Sequence, residues 1–265
     1  MDRTVGASPL DGGRRLDGRV AVVTGASRGL GAGMAERFAA AGLALGLCAR
    51  HEPAPPPVSD EGAGPGVVTA SVDVADADAV DRFCGGVVDR FGRIDLWVNN
   101  AGLLGPIAPL RDADPAELRA NIEVNVLGVL FGSAAFARHV HTRPGGGVLV
   151  NISSGAATRP YVGWAAYCAA KAAVDHATRV IAAEEASADL RAYAVAPGVV
   201  DTEMQAVIRA TPAERFPEVE RFHELRRDDA YNSPAWVADH ILRLAFDPPD
   251  GAPIVQRVPD EPRAT

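Results

Sequence analysis

The sequence predicts an α/β fold, a doubly wound parallel sheet of about seven strands flanked by helices. Three observations carry this. Apolar runs of strand length alternate with longer helical patterns from Arg19 to the C-terminus, as repeated βαβ units require. Most of these runs are continuous in Val, Ala, Leu and Ile rather than alternating, as strands buried on both faces are. A glycine-rich turn, 24–31, follows the first run and opens the first helical pattern.

Strands are expected at 20–24, 44–49, 67–72, 96–99, 147–152, 191–196 and 254–258. Helices are expected at 29–41, 77–91, 115–140, 163–186, 212–227 and 234–245. Two segments break the rhythm. Residues 51–66 (HEPAPPPVSDEGAGPG) hold too much Pro and Gly for a helix and predict an irregular or mobile loop. Residues 201–232 form a charged but amphipathic insertion, either a surface excursion or a lid over a pocket. Residues 1–18 read as a loose N-terminal arm, and 19–265 as one domain.

Composition narrows the function. Of 265 residues, 48% are hydrophobic, enough for one large core. The net charge is -8 and no Lys/Arg-rich run occurs, which argues against a nucleic-acid partner. The apolar stretches look strand-length, so no membrane span is expected, and the opening residues carry no secretory h-region. Cys48, Cys84 and Cys168 lack metal-ligand spacing, so no metal site is expected. Their odd, scattered number fits a reducing, cytoplasmic setting, and Cys168 reads as a small buried residue.

Tyr167 and Lys171 lie four residues apart in an Ala-rich helical run, hence on one face. Lys171 is the only lysine of the chain. An ammonium one turn from a phenol is expected to lower the phenol's pKa and make it a usable proton donor. A serine hydroxyl from the strand end at Ser153-Ser154 can hold a carbonyl oxygen against it. In the glycine turn, Gly25, Ser27, Arg28, Gly29, Leu30 and Gly31 place backbone N–H groups at a helix N-terminus, where a pyrophosphate is favoured. The second strand ends in Ala49-Arg50-His51 with no carboxylate to take a ribose 2′-hydroxyl. Arg28 and Arg50 are therefore candidates for a 2′-phosphate, or are simply solvated.

Thr24–Gly31, Asn99-Asn100-Ala101-Gly102, Asn125, Ser154, Tyr167, Lys171 and Pro197-Gly198 together resemble the short-chain dehydrogenase/reductase superfamily over almost the whole chain. The resemblance implies a Rossmann-type fold, an NADP(H) cofactor and a carbonyl substrate. It selects Ser154 by its thirteen-residue spacing to Tyr167 and gives Asn125 a place at a helix kink, supporting a proton relay from the lysine. It puts Asp73 and Val74 at the adenine, with a turn or cap role for Asp73 as the alternative. It puts Asn99, Ala101 and Gly102 along the adenosine ribose, and Pro197, Gly198, Val199, Val200 and Thr202 at the nicotinamide. It also implies a homodimer or homotetramer built on the 115–140 and 163–186 helices.

A narrower likeness runs from Pro160 to Cys168 and from Ala196 to Gln205. It resembles the sepiapterin reductase branch and, within it, bacterial benzil reductases, which reduce one carbonyl of an α-diketone with NADPH. Sepiapterin reductases anchor the pterin with a C-terminal aspartate, where this chain has Val255. Tyr161, Trp164, Met204 and Gln205 would then line an aromatic substrate pocket with Ser154 and Tyr167, or serve as ordinary packing. The expected activity is an NADPH-dependent carbonyl reductase of diketones or aryl ketones. The alternatives are a sepiapterin reductase, an NADP-dependent alcohol dehydrogenase and a non-enzymatic NADPH sensor. The last would not need the Ser154, Tyr167 and Lys171 set.

Overall fold

The computed structural model describes residues 15–57 and 66–262. Seven strands form one fully parallel sheet: β1 (Val20–Thr24), β2 (Ala44–Ala49), β3 (Val67–Ser71), β4 (Leu96–Asn99), β5 (Gly147–Ile152), β6 (Leu190–Ala196) and β7 (Val255–Arg257). Their order is β3-β2-β1-β4-β5-β6-β7. The chain builds outward from β1 through β2 to β3, then returns to the other side of β1 with β4. That reversal opens a crevice at the carboxyl ends of β1 and β4, where doubly wound sheets bind ligands.

Helices α1 (Gly29–Ala40) and α8 (Pro234–Phe246) cover one face, with Met34, Phe38, Val237, Ile241 and Leu242 fully buried. The other face takes α2 (Ala77–Phe91), α4 (Gly128–His141) and α5 (Ala165–Glu184). Its centre is Trp97, which stacks on Phe136 at 6.1 Å and meets Phe83 edge-on at 6.5 Å.

Several expected helices change where a residue forbids the continuous form. The 115–140 stretch is α3 (Pro115–Ile122), a π-helical turn (Glu123–Leu127) and α4. The extra residue of such a turn is accommodated around Asn125, which is fully buried. This stretch, Pro115–Val140, is also long and apolar enough to pass for a membrane span by length and composition, contrary to the strand-length expectation. Its apolar side, with Val129, Phe136 and Val140 buried, packs within the fold. The 163–186 helix starts only at Ala165, because Gly163 has φ +87°, outside the helical region. In the insertion, the helix expected from 212 shrinks to α7 (Val219–Arg227), since Pro217 cannot sit in a helix interior. A short α6 (Glu203–Arg209), which was not expected, precedes it.

The N-terminal arm is not loose at its end. Leu16 is buried in the α1/α8 core, and its N–H donates to the Ala41 carbonyl at 2.8 Å. Residues 1–14 and 58–65, the latter half of the predicted irregular loop, lie outside the described residues.

Candidate active site

The carboxyl ends of the strands surround one deep cavity of about 500 Å³. The glycine turn forms its floor. Gly25 has φ +67°, and a Cβ there would lie 2.7 Å from the Ala101 Cα; on Gly31 it would lie 2.3 Å from the Gly25 carbonyl oxygen. Only bare backbone packs this tightly. Helix α1 starts at this turn with no side-chain cap and no acid in its first turn, so its N-terminal N–H groups are left for an anion. Asn100 ties the turn to β4, its side-chain NH₂ donating to the carbonyls of Thr24 (2.9 Å) and Gly25 (3.2 Å). These features suit a dinucleotide's phosphates.

Ser27, Arg28, Gly29, Leu30, Arg50, Asp73, Val74, Ala101 and Gly102 line the cavity, as do Pro197, Gly198, Val199, Val200 and Thr202. Arg28 is ion-paired with Glu203 (Nη1–Oε2 2.5 Å) across the mouth, a partner not foreseen. Asp73 accepts the Ala75 N–H at 3.0 Å, a turn role, while the cap of α2 is Asp76. Asn99 is not on the lining. It is buried in the sheet, accepting from Trp97 Nε1 (2.8 Å) and donating to Asn151 Oδ1 (2.8 Å), to Val129 O and to Ser133 Oγ. Asn125 also lies off the lining. Its NH₂ donates to Leu103 O (2.7 Å) and Asn121 Oδ1 (2.9 Å), and its oxygen accepts from Leu103 N (2.9 Å). A Cβ on Gly102 would lie 3.0 Å from that oxygen and 4.0 Å from Lys171 Nζ, so Asn125 stands just behind the lysine.

Ser154, Tyr167 and Lys171 come together on the cavity wall. Ser154 lies two residues past the end of β5 and caps the next turn, accepting the Ala156 N–H at 3.2 Å. Tyr167 and Lys171 lie on α5, the lysine nitrogen 5.6 Å from the phenol ring centre and donating to Ile152 O at 2.7 Å. The electrostatics correct the sequence expectation. Burial pushes the Tyr167 phenol up to about 12, against a downward pull from its hydrogen bond with Ser154. Burial pushes the Lys171 ammonium down to about 8, with Asp175 pulling it up. For the phenol, loss of solvation outweighs the Ser154 hydrogen bond. Asp175, one turn beyond Lys171, is 5% exposed and accepts the Ser153 hydroxyl. Its i+4 spacing from Lys171 was the signal for it.

The substrate side is aromatic. Trp164 stacks on Tyr161 and on Phe216, each at 4.7 Å, with those two rings 6.5 Å from each other, and it meets Tyr167 edge-on at 5.8 Å. Phe216 and Phe222, from the insertion, were not foreseen in this wall; Phe222 and Ile208 line the cavity. Met204 and Gln205 lie on α6 and line it too. Arg221 donates to the Tyr161 hydroxyl at 3.0 Å. Cys168 is half-buried rather than buried.

A parallel sheet of this order, with a bare glycine turn at the crevice and a serine–tyrosine–lysine set beside it, defines a dinucleotide-dependent oxidoreductase. The chain belongs to the short chain dehydrogenase family, whose model matches residues 19–213. It is 32% identical over 233 residues to a benzil reductase ((S)-benzoin forming) of Bacillus cereus, covering 85% of this chain and 93% of that protein. A benzil reductase of Bacillus subtilis is 38% identical over 158 residues, 59% of this chain and 65% of that one. The structure of levodione reductase superposes with a TM-score of 0.79 at 27% identity, covering 93% of this chain and 97% of that one. The protein is thus an oxidoreductase acting on CH–OH/C=O groups with a nicotinamide cofactor.

Proposed function

We propose that the protein is an NADPH-dependent carbonyl reductase of diketones or aryl ketones. The observation that carries this reading is the convergence of Ser154, Tyr167 and Lys171 on a cavity walled by Tyr161, Trp164 and Phe222. The Ser154 and Tyr167 hydroxyls hold the carbonyl oxygen. Tyr167 gives its proton to the developing alkoxide as general acid. Lys171, when charged, steadies the resulting phenolate, and Asn125 fixes the loop behind it. The nicotinamide, when bound, supplies the hydride, so that ketone, hydride and proton balance to a secondary alcohol. Run backwards, the same site is an alcohol dehydrogenase.

Two observations favour NADP(H). Arg28 and Arg50 both line the cavity, and no acid ends β2. The benzil reductase relatives favour a diketone. A pterin is disfavoured, because Val255 offers no carboxylate at the family's pterin anchor. Exposed Leu127, Leu130 and Val180 on the α4 and α5 side support a dimer or tetramer formed there. The free thiols Cys48, Cys84 and Cys168 fit a cytoplasmic setting.

The test is Tyr167→Phe. Turnover of benzil is expected to fall by roughly 10²-fold or more. Binding of NADPH, followed by its fluorescence, is expected to stay within about twofold, because the phenol's work is proton transfer. Turnover that survives the change would refute the assignment.

A further inference from the structure

Resting on the carbonyl-reductase reading, we infer that Arg221 and the Tyr161 hydroxyl form an anion subsite at the substrate end of the cavity. It takes the carboxylate of a ketone that carries its charge remote from the reacting carbonyl.

The cavity is more basic than the chain that forms it. The chain has a net charge of -8, yet the lining holds Arg28, Arg50, Lys171, Arg221 and Arg257 against only Asp73 and Glu203. All but one of these cations have work elsewhere. Arg28 is paired with Glu203, and Arg257 with Asp260 at 2.7 Å. Arg50 follows β2, on the cofactor side, and Lys171 stands beside Tyr167. Arg221 remains. The acids nearest to it along the chain are engaged by other arginines: Glu218 by Arg159 at 2.5 Å, Glu220 by Arg227 at 2.9 Å and Glu224 by Arg227 at 3.9 Å. Among the described residues, the Arg221 guanidinium has no carboxylate partner, and its one hydrogen bond goes from Nη1 to the Tyr161 hydroxyl oxygen at 3.0 Å. A guanidinium on a cleft wall with no carboxylate of its own attracts an anion.

The chemistry of the pair names the anion. The planar guanidinium fork matches the planar carboxylate. Because the Tyr161 oxygen accepts from Arg221, its own O–H is left to donate, and it meets no acceptor among the described residues. Two adjacent donors can therefore serve the two oxygens of one carboxylate. Both are reachable, since Arg221 is exposed and Tyr161 half-buried on the cavity wall. Tyr161 is set before substrate arrives, its ring stacked on Trp164 at 4.7 Å and the Arg159 guanidinium 4.9 Å from its centre.

Contacts run from this pair to the reacting end. Trp164 touches Tyr161 on one side and meets the Tyr167 ring edge-on at 5.8 Å. Burial is the main cause that holds the proton on Tyr167, and the Tyr161 phenol adds to it, so the two hydroxyls are near enough to act on each other. One indole spaces the two phenols. Phe222 and Leu225, on the same helix as Arg221, line the cavity with it and offer apolar surface to the spacer. A carboxylate held at Arg221 while Tyr167 engages a carbonyl thus belongs to a substrate with an aryl-sized spacer between the two groups.

The experiment measures kcat/KM for benzil, 4-carboxybenzil and benzil-4-carboxamide in the wild type, Arg221→Gln, Arg221→Lys and Tyr161→Phe. The acid and the amide share the diketone and both rings but differ in electron withdrawal, so the change in their ratio on substitution is decisive, not the ratio itself. Arg221→Gln is expected to lower kcat/KM for the acid about 10-fold more than for the amide, chiefly through KM. Arg221→Lys keeps the charge and is expected to recover most of the ratio. Tyr161→Phe keeps the ring stack and is expected to lower the ratio about threefold. An acid-over-amide ratio that is the same in the wild type and Arg221→Gln would overturn the subsite. Equal losses on both probes give that same result and leave Arg221 as a support for Tyr161 alone. A wild type active on benzil and inactive on the acid would overturn it too. A wild type inactive on all three ketones would instead overturn the carbonyl-reductase reading.

Discussion

Lys171 is pulled two ways. Burial drives its ammonium down to about 8, and the Asp175 carboxylate, one turn along α5, draws it back up. Below pH 8 the amine is charged and can steady a phenolate. As pH rises through about 8, it loses that charge. The alkaline limb of kcat/KM for ketone reduction is therefore expected near pH 8, and Asp175→Asn should move it to lower pH while Ser153 keeps an amide partner in place of the carboxylate. A limb that stays put in pH–rate profiles of the variant would remove Asp175 from the site's electrostatics. The same shift has a stability sign. The folded value lies below the ordinary lysine value of 10.5, so between about 8 and 10.5 the unfolded chain binds more protons. This group's contribution is complete above that window and is lost as pH falls through about 8. Tyr167, raised to about 12, acts oppositely: its contribution is complete below pH 10 and is lost as pH rises through about 12. Tyr167 and Lys171 were legible because spacing on a helix is a local property, while Ser154 was told from Ser153 only by the family resemblance. The direction of the phenol's shift was not, because it is decided by what the tertiary fold packs around the ring.

At the scale of elements, strand positions were legible almost to the residue, since runs such as Val20–Thr24 must be apolar on both faces. Helix interruptions were less so. Pro217 and Gly163 were visible as breakers, yet the composition around each still reads as helix. The π turn at Glu123–Leu127 leaves no compositional mark at all. The α6 helix was hidden inside a segment read as an insertion, and with it the Arg28–Glu203 pair that joins this helix to the glycine turn. The end of β2 yields a test of cofactor choice. Arg50→Asp places a carboxylate where a 2′-phosphate would lie and a ribose hydroxyl could bond. The ratio of kcat/KM for NADPH over NADH is expected to fall by about 10-fold or more. An unchanged ratio would refute the phosphate role.

Across the whole molecule, the aromatic wall is assembled from parts distant in sequence: Tyr161 and Trp164 before α5, Phe216 and Phe222 from the insertion. The reach of the insertion over Tyr167 could not be read from its charge-rich composition, which fits a surface excursion equally well. The exposed Leu127 and Leu130 give the assembly its test. Leu130→Asp on the proposed interface is expected to shift the particle from dimer or tetramer toward monomer in light scattering, with the melting temperature of the fold reduced. An unaltered mass would place the interface elsewhere. One further property belongs to the particle as a whole. Its cationic surface is entirely arginine, and its single lysine is 5% exposed inside the catalytic cavity. Reagents that acylate or reductively alkylate amines thus find one side chain to modify besides the terminal amino group. Any inactivation they cause, and any protection that a bound ligand gives, reports directly on the proposed catalytic centre.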